Sequence, residues 1–255
     1  MSHEKLLTER RGGVLLLTID RPEIKNALDF ETADGIATAI DELEESDELA
    51  AAVITGAGGF FSSGMDLAAF ERGDVPYVAS RGVFGIANKP PRKPLIAAVE
   101  GGALAGGFEL MLACDMVVAA RGARFGIPEV KRGLIAAAGA LLELPKRIPP
   151  AIATELALTG DPIDADRAAH LGLVNRVTEP GAALDGAIEL AATIAANAPL
   201  AVIASKRVLR ETLEWSTAEA WGKQGEIAGP VLTSSDAKEG ARAFVEKRAP
   251  NWTGT

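Results

Sequence analysis

An α/β fold with mainly parallel strands is what this sequence predicts, and three observations predict it. Four short apolar runs, 14–19, 51–56, 95–99 and 114–120, read as buried strands. The stretches between them are long enough for helical crossovers, which parallel pairing requires. From Pro149 onward the strand signal fades and helical spacing takes over, adding a helical C-terminal part to the layered core.

Taken in order, Val14-Leu15-Leu16-Leu17-Thr18-Ile19 stops at Asp20-Arg21-Pro22, a strand leaving into a turn. Asp29 is a good N-cap for the next helix, where Ala33, Ile36, Ile40 and Leu43 recur at helical spacing and acids fill the other face through Glu45. Ala51–Gly56 and Leu95–Val99 are the second and third strands. Leu110–Ala120 has room for a helix and a returning strand. The segment Glu71–Pro94 carries Gly, Pro and charge without periodicity, and is expected to hold a short helix and a mobile loop near the ligand. Leu184, Ile188, Ala191 and Ile194 form one helical stripe, and Leu200–Trp215 continues as another helix. Asp236-Ala237-Lys238-Glu239 reads as a capping-box start for a last helix to Arg248. The expected division is a core over 1–195 and a helical region over 196–255.

Composition narrows the function. The 255 residues are 48% hydrophobic, enough for one large domain or a domain with an appended subdomain. A net charge of −9 argues against nucleic-acid binding, which needs clustered Lys and Arg. Met1-Ser2-His3-Glu4-Lys5 lacks the pattern of a signal peptide and no apolar run reaches spanning length, so a cytoplasmic location without a membrane is expected. Cys114 is the only cysteine, expected to be a buried, inert core thiol. With His3 and His170 the only histidines, a histidine zinc site is excluded and a Ser-His-Asp triad is disfavoured. His170 reads as a helix end.

Two motifs fail on inspection. Gly56-Ala57-Gly58-Gly59 follows a strand, but the third glycine of a dinucleotide fingerprint would fall on Phe61. Ser62-Ser63 lacks the flanks of a nucleophile elbow. Two glutamates fare better. Glu109 follows the glycine-rich Gly101–Phe108 and Glu129 follows Phe125-Gly126-Ile127-Pro128. Two carboxyls meeting in an apolar pocket cannot both ionise easily, so one can hold a proton while the other accepts one. The small-residue turns at 60–66 and 101–107 can each present an N–H to one oxygen, as an oxyanion hole does. The plainer readings remain beside these: Glu109 as a helix-start acid, Glu129 as a solvated loop charge, and each turn as a tight bend on the core.

These residues resemble the crotonase family, the enoyl-CoA hydratase and isomerase superfamily, over nearly the whole chain. Arg21-Pro22 with Lys25-Asn26-Ala27-Leu28 looks like the family's opening motif. Phe61-Ser62-Ser63-Gly64-Met65-Asp66 resembles its first oxyanion loop and Ala103–Leu110 its second. Phe125–Glu129, Leu158-Thr159-Gly160 and Gly172-Leu173-Val174-Asn175 follow in the expected order. Within the family, Leu144–Pro150 and Phe244–Trp252 look like carnitinyl-CoA dehydratase-like members. One departure is the run Ala136–Glu143, where many hydratases carry Pro-Gly-Ala-Gly-Gly-Thr-Gln-Arg; it bears on the acyl preference.

The resemblance implies a spiral of strand, strand, helix units with a C-terminal helical region that builds trimers, often paired into hexamers. It implies an acyl-CoA substrate and no metal or redox cofactor. The N–H groups of Ser63 and Gly106 would hold the thioester oxygen, Glu109 would be the base on a water, and Glu129 would supply the proton to Cα. The adenine of CoA would lie along Ser63, Gly64, Met65 and Asp66. Lys25 would meet a phosphate or, equally, stand as a solvated turn residue. The implied activity is enoyl-CoA hydration. A carnitinyl-CoA dehydratase-like hydro-lyase, a double-bond isomerase and a non-catalytic acyl-CoA-binding protein are the alternatives.

Overall fold

A computed structural model describes residues 4–255, so His3 and the start of the N-terminal segment lie outside the described residues. The large sheet has six strands in the order β1-β2-β3-β6-β8-β11. These are β1 (Leu6–Arg11), β2 (Val14–Ile19), β3 (Ala51–Gly56), β6 (Leu95–Val99), β8 (Met116–Ala120) and β11 (Arg176–Thr178). All neighbours are parallel except the β1–β2 hairpin. Helix α1 (Phe30–Glu45) makes the crossover from β2 to β3, with Asp29 as its N-cap accepting from the Thr32 N–H at 3.0 Å.

Both faces of this sheet are covered, which is why its inner strands are apolar at nearly every position, Thr18 and Thr55 excepted. Val14, Leu16, Ala51, Val53, Ile96 and Ala98 pack on one side against Ala187 and Ala191 of α7 (Ala183–Ala195). Leu15, Leu17, Ala52, Ile54, Ala97 and Val99 point the other way, into a core with Ile36, Ile40 and Leu43 of α1 and the rings of Phe61, Phe108 and Phe125.

A second layer positions the site. After β3 the chain bridges at Ser62 and enters α2 (Leu67–Glu71). After β6 it forms β7 (Gly102–Leu104) and then α3 (Gly106–Ala113). After β8 it forms β9 (Arg124–Gly126) and a 3-10 turn over Pro128–Arg132. These second strands are neighbours: Ser62 bridges Ala103, Ala103 pairs with Phe125, and β10 (Ile163–Asp164) closes the row on β9. Each turn of the strand, strand, helix spiral therefore delivers the residues after its second strand to one place.

Between α2 and β6 lie the two-residue strands β4 (Tyr77–Val78) and β5 (Gly82–Val83). The C-terminal half carries α4 (Ala140–Arg147), α5 (Pro150–Thr159), α6 (Ala165–His170), α7, α8 (Pro199–Glu211), α9 (Thr217–Leu232) and α10 (Ser235–Glu246). Helices α8 and α9 contain no buried residue.

Several elements differ from the sequence reading. Strand β1 is an edge strand with only Leu6 buried, so it has no apolar run to announce it. Strands β7, β9, β10 and β11 are two or three residues long, too short for any period to show. Helix α9 holds Gly222, Gly225, Gly229 and Pro230 and lacks a buried stripe. The last helix starts two residues earlier than expected, with Ser234 as N-cap accepting from Ala237 N–H; the capping box belongs to Ser216 and Glu219 at α9. His170 is the exposed last residue of α6. Cys114 is fully buried and its thiol is pushed up to about 12 by burial, the inert core residue expected.

Candidate active site

Backbone accounting locates the amides that the fold leaves available. In the first loop, Ser62 N–H donates to Gly102 O, Ser63 N–H to Lys25 O at 2.9 Å, and Asp66 N–H to Leu28 O at 2.9 Å. Gly64 N–H donates to the Ser62 hydroxyl at 3.1 Å. Among the described residues Met65 N–H alone in this loop finds no protein acceptor. The sequence reading assigned the donor to Ser63; its amide is already committed to Lys25, two residues short of the available one. No side chain marks Met65, because a free amide is defined by what its neighbours bond.

In the second loop Leu104 N–H donates to Ser62 O and Ala105 N–H to Gly126 O, stitching the three second strands together. Ala105 then takes φ 50, ψ −129 and opens α3, leaving the Gly106 and Gly107 amides unpaired at the helix N-terminus, where partial positive charge gathers. The two loops touch: Gly64 has φ 95, and a Cβ there would fall 2.6 Å from Gly106 N.

Glu109 sits one turn into α3, 5% exposed. Its Oε1 accepts from Ala138 N–H at 2.7 Å and Ala140 N–H at 3.1 Å. The run 136–143 thus supplies two backbone amides to Glu109. Burial outweighs those two donors and raises the carboxyl to about 7, with the Glu129 charge adding to the rise. Glu129 sits in the first turn after β9, raised by burial, and its Oε2 is buried without a hydrogen-bond partner. Both readings of Glu109 hold at once: it is a helix-start acid and a buried one. Glu129 is not a solvated charge.

The remaining expected residues flank this centre. The Asp66 carboxylate is occupied by structure: Oδ1 caps α2 through Ala68 and Ala69 N–H, and Oδ2 accepts from Arg21 at 2.9 Å. The Lys25 ammonium is exposed, 5.6 Å from the centre of the Phe60 ring. Asn26, fully buried, anchors the loop by donating to Ala57 O and Phe60 O. A cleft of about 1100 Å³ opens at Glu109 and runs past Leu112, Met116, Leu142, Leu173 and Val202. Lys206, paired with Asp115 at 2.5 Å, also lines it.

Two interacting carboxyls raised by burial, on the elements that follow loops with unpaired amides, suit a reaction in which protons move while an oxygen gains charge. Comparisons with known proteins agree. The Enoyl-CoA hydratase/isomerase family model matches residues 9–255. The chain is 42% identical to a carnitinyl-CoA dehydratase of Salmonella arizonae, over 98% of this chain and 99% of that protein. It is 42% identical to the enoyl-CoA hydratase EchA19 of Mycobacterium tuberculosis, over 96% and 95%. The crystal structure of an enoyl-CoA hydratase from Mycobacterium tuberculosis H37Rv matches with a TM-score of 0.97 at 56% identity, covering 98% of this chain and 99% of that one. With the match running through both sheets and the C-terminal helices, the chain belongs to the crotonase family of enoyl-CoA hydratases and isomerases.

Proposed function

We propose that this chain is an enoyl-CoA hydratase, adding water across the C2=C3 bond of a 2-enoyl-CoA. The observation that carries this is the pairing of unengaged amides at Met65 and Gly106 with the buried Glu109, raised to about 7, and the half-buried Glu129, whose carboxyl burial also raises. The thioester oxygen accepts from Met65 and Gly106 N–H. Glu109 takes a proton from water, whose oxygen bonds to C3; the double-bond electrons move to form C2=C1 and place charge on the thioester oxygen. Glu129 then protonates C2 as that charge returns. We assign the base to Glu109, whose Oε1 accepts from two amides, and the proton donor to Glu129, whose Oε2 has no partner; burial raises both carboxyls, so the pair shares its protons.

Every proton and the developing charge are handled by these groups, so the scheme needs no metal or redox cofactor. The acyl tail takes the cleft beyond Glu109, CoA follows residues 63–66 by backbone contact, and Lys25 is placed for a phosphate. We retain the division into a core over 1–195 and a helical region over 196–255, on the ground that α7 packs on the sheet and α8 has no buried residue. The exposed apolar side chains of that region support assembly as a trimer or hexamer. No single described helix is long and apolar enough to cross a membrane, and we keep a cytoplasmic location as the working assumption.

A second reading, a carnitinyl-CoA dehydratase-like hydro-lyase, is favoured by the 42% identity to that relative; it uses the same groups on another acyl chain. The test is hydration of crotonyl-CoA, with a panel of other enoyl-CoAs, by wild type, Glu109→Gln and Glu129→Gln. Activity in wild type and a loss of at least about 100-fold in each variant is expected. Full activity in either variant would end the paired-acid scheme.

A further inference from the structure

The segment between α2 and β6, expected from sequence to be a mobile loop, is fastened to the core. Arg81, 4% exposed, donates to Asp41 of α1 at 2.8 Å and to Lys89 O at 2.9 Å. Phe84 N–H donates to Pro76 O at 2.7 Å. At Gly85 a Cβ would fall 2.0 Å from Ala33 O, so its backbone lies directly on α1. What this fastening presents is one side chain. Phe84 is 3% exposed and has φ 56, a left-handed conformation that a bulky residue rarely adopts.

The ring of Phe84 ends on Gly106. A Cβ at Gly106 would fall 2.3 Å from the ring Cζ and 2.8 Å from Cε2, so the ring tip occupies the side-chain position of that glycine. The other side of Gly106 is closed by Gly64, and the residue before it, Ala105, has φ 50 and ψ −129. Two non-glycine residues beside one amide thus hold backbone conformations that such residues rarely adopt. Such strain persists where the surrounding structure over-determines it. Here the over-determined object is the peptide that ends in the Gly106 N–H.

We propose that Phe84 is a positioning residue for the Gly106 amide: its ring, driven inward by the left-handed backbone, sets the direction in which that N–H points. The proposal rests on Gly106 being a donor to the thioester oxygen. Phe84 touches no reacting atom; it acts through Gly106. A leucine at 84 would keep the inner part of the side chain and lose the ring tip that meets Gly106.

The test uses bound 4-dimethylaminocinnamoyl-CoA, a chromophore whose absorption moves to the red when its carbonyl oxygen is polarised by hydrogen bonds. For folded Phe84→Leu we expect the red shift to fall by at least half. Turnover of crotonyl-CoA should fall about 10- to 100-fold in kcat with KM changed less than about threefold, the pattern of an interaction made in the transition state. If Phe84→Leu does not fold, Arg81→Lys loosens the same fastening from outside and should show the same split in smaller degree. A full red shift and wild-type kcat in folded Phe84→Leu, or in Arg81→Lys where that is the folded variant, would overturn the proposal. No red shift in wild type would instead remove the donor role of Gly106, and the proposal with it.

Discussion

Burial governs Glu109 more than its hydrogen bonds do, and that imbalance has a measurable cost. With its carboxyl at about 7 against an ordinary 4.5, the folded chain binds more protons than the unfolded chain between these values. Stability therefore falls as pH rises through that window, and above it the buried charge costs on the order of 3 kcal/mol. Glu109→Gln removes the charge while its amide oxygen still accepts from Ala138 and Ala140. The variant should be more stable than wild type at pH 8, by about 1–3 kcal/mol, and show no advantage at pH 4. Urea midpoints at the two pH values measure this, and equal midpoints at pH 8 would contradict it. Turnover should rise with pH through about 7 as the base ionises. The pair of glutamates was legible because charged residues beside glycine-rich apolar segments stand out. Met65 was not, since its role is a backbone amide left over after Ser63, Gly64 and Asp66 have spent theirs.

At the scale of elements, the site is a contact between loops that follow second strands of successive spiral turns. The long strands β2, β3 and β6 and the helix α1 could be read from apolar runs and an Asp cap, because burial on two faces leaves nearly continuous apolar runs. The second layer could not, since Ser62, β7 and β9 contribute one to three residues each and their pairing is entirely long-range. Yet this layer sets the spacing of the two loops that carry the unpaired amides. Gly64→Ala tests it: φ 95 strains any alanine, and the added Cβ would also strike Gly106 N. Gly59→Ala is the matched control, with φ 77 but open space around it. Both should lose about 1–2 kcal/mol of stability from backbone strain. Only Gly64→Ala should lose about 100-fold or more in kcat. Equal kcat in the two variants would show that loop contact is not what aligns the amides.

For the whole molecule, the exposed surface bears on the proposed assembly. The core is saturated: α7 covers one face of the large sheet and α1 the other. Beyond it, α9 and α10 expose Trp221 at 80%, Leu232 at 75%, Phe244 at 85% and Val245 at 79%. Large apolar side chains so exposed on neighbouring helices mark an interaction surface, and a soluble monomer gains nothing from them. Helices without a buried residue also lack the tertiary packing from which most helical stability comes, so partners that cover α8 and α9 would supply it. On the proposed trimer or hexamer, sedimentation equilibrium should give three or six chains for wild type. Trp221→Glu with Phe244→Glu should lower that number and the melting temperature together, because the assembly and the stability of these helices are one equilibrium. A monomeric wild type, or a double variant that keeps its full mass, would mean that these side chains face solvent for another reason. A dissociated variant that keeps its melting temperature would separate assembly from helix stability and place the C-terminal region among self-sufficient folds.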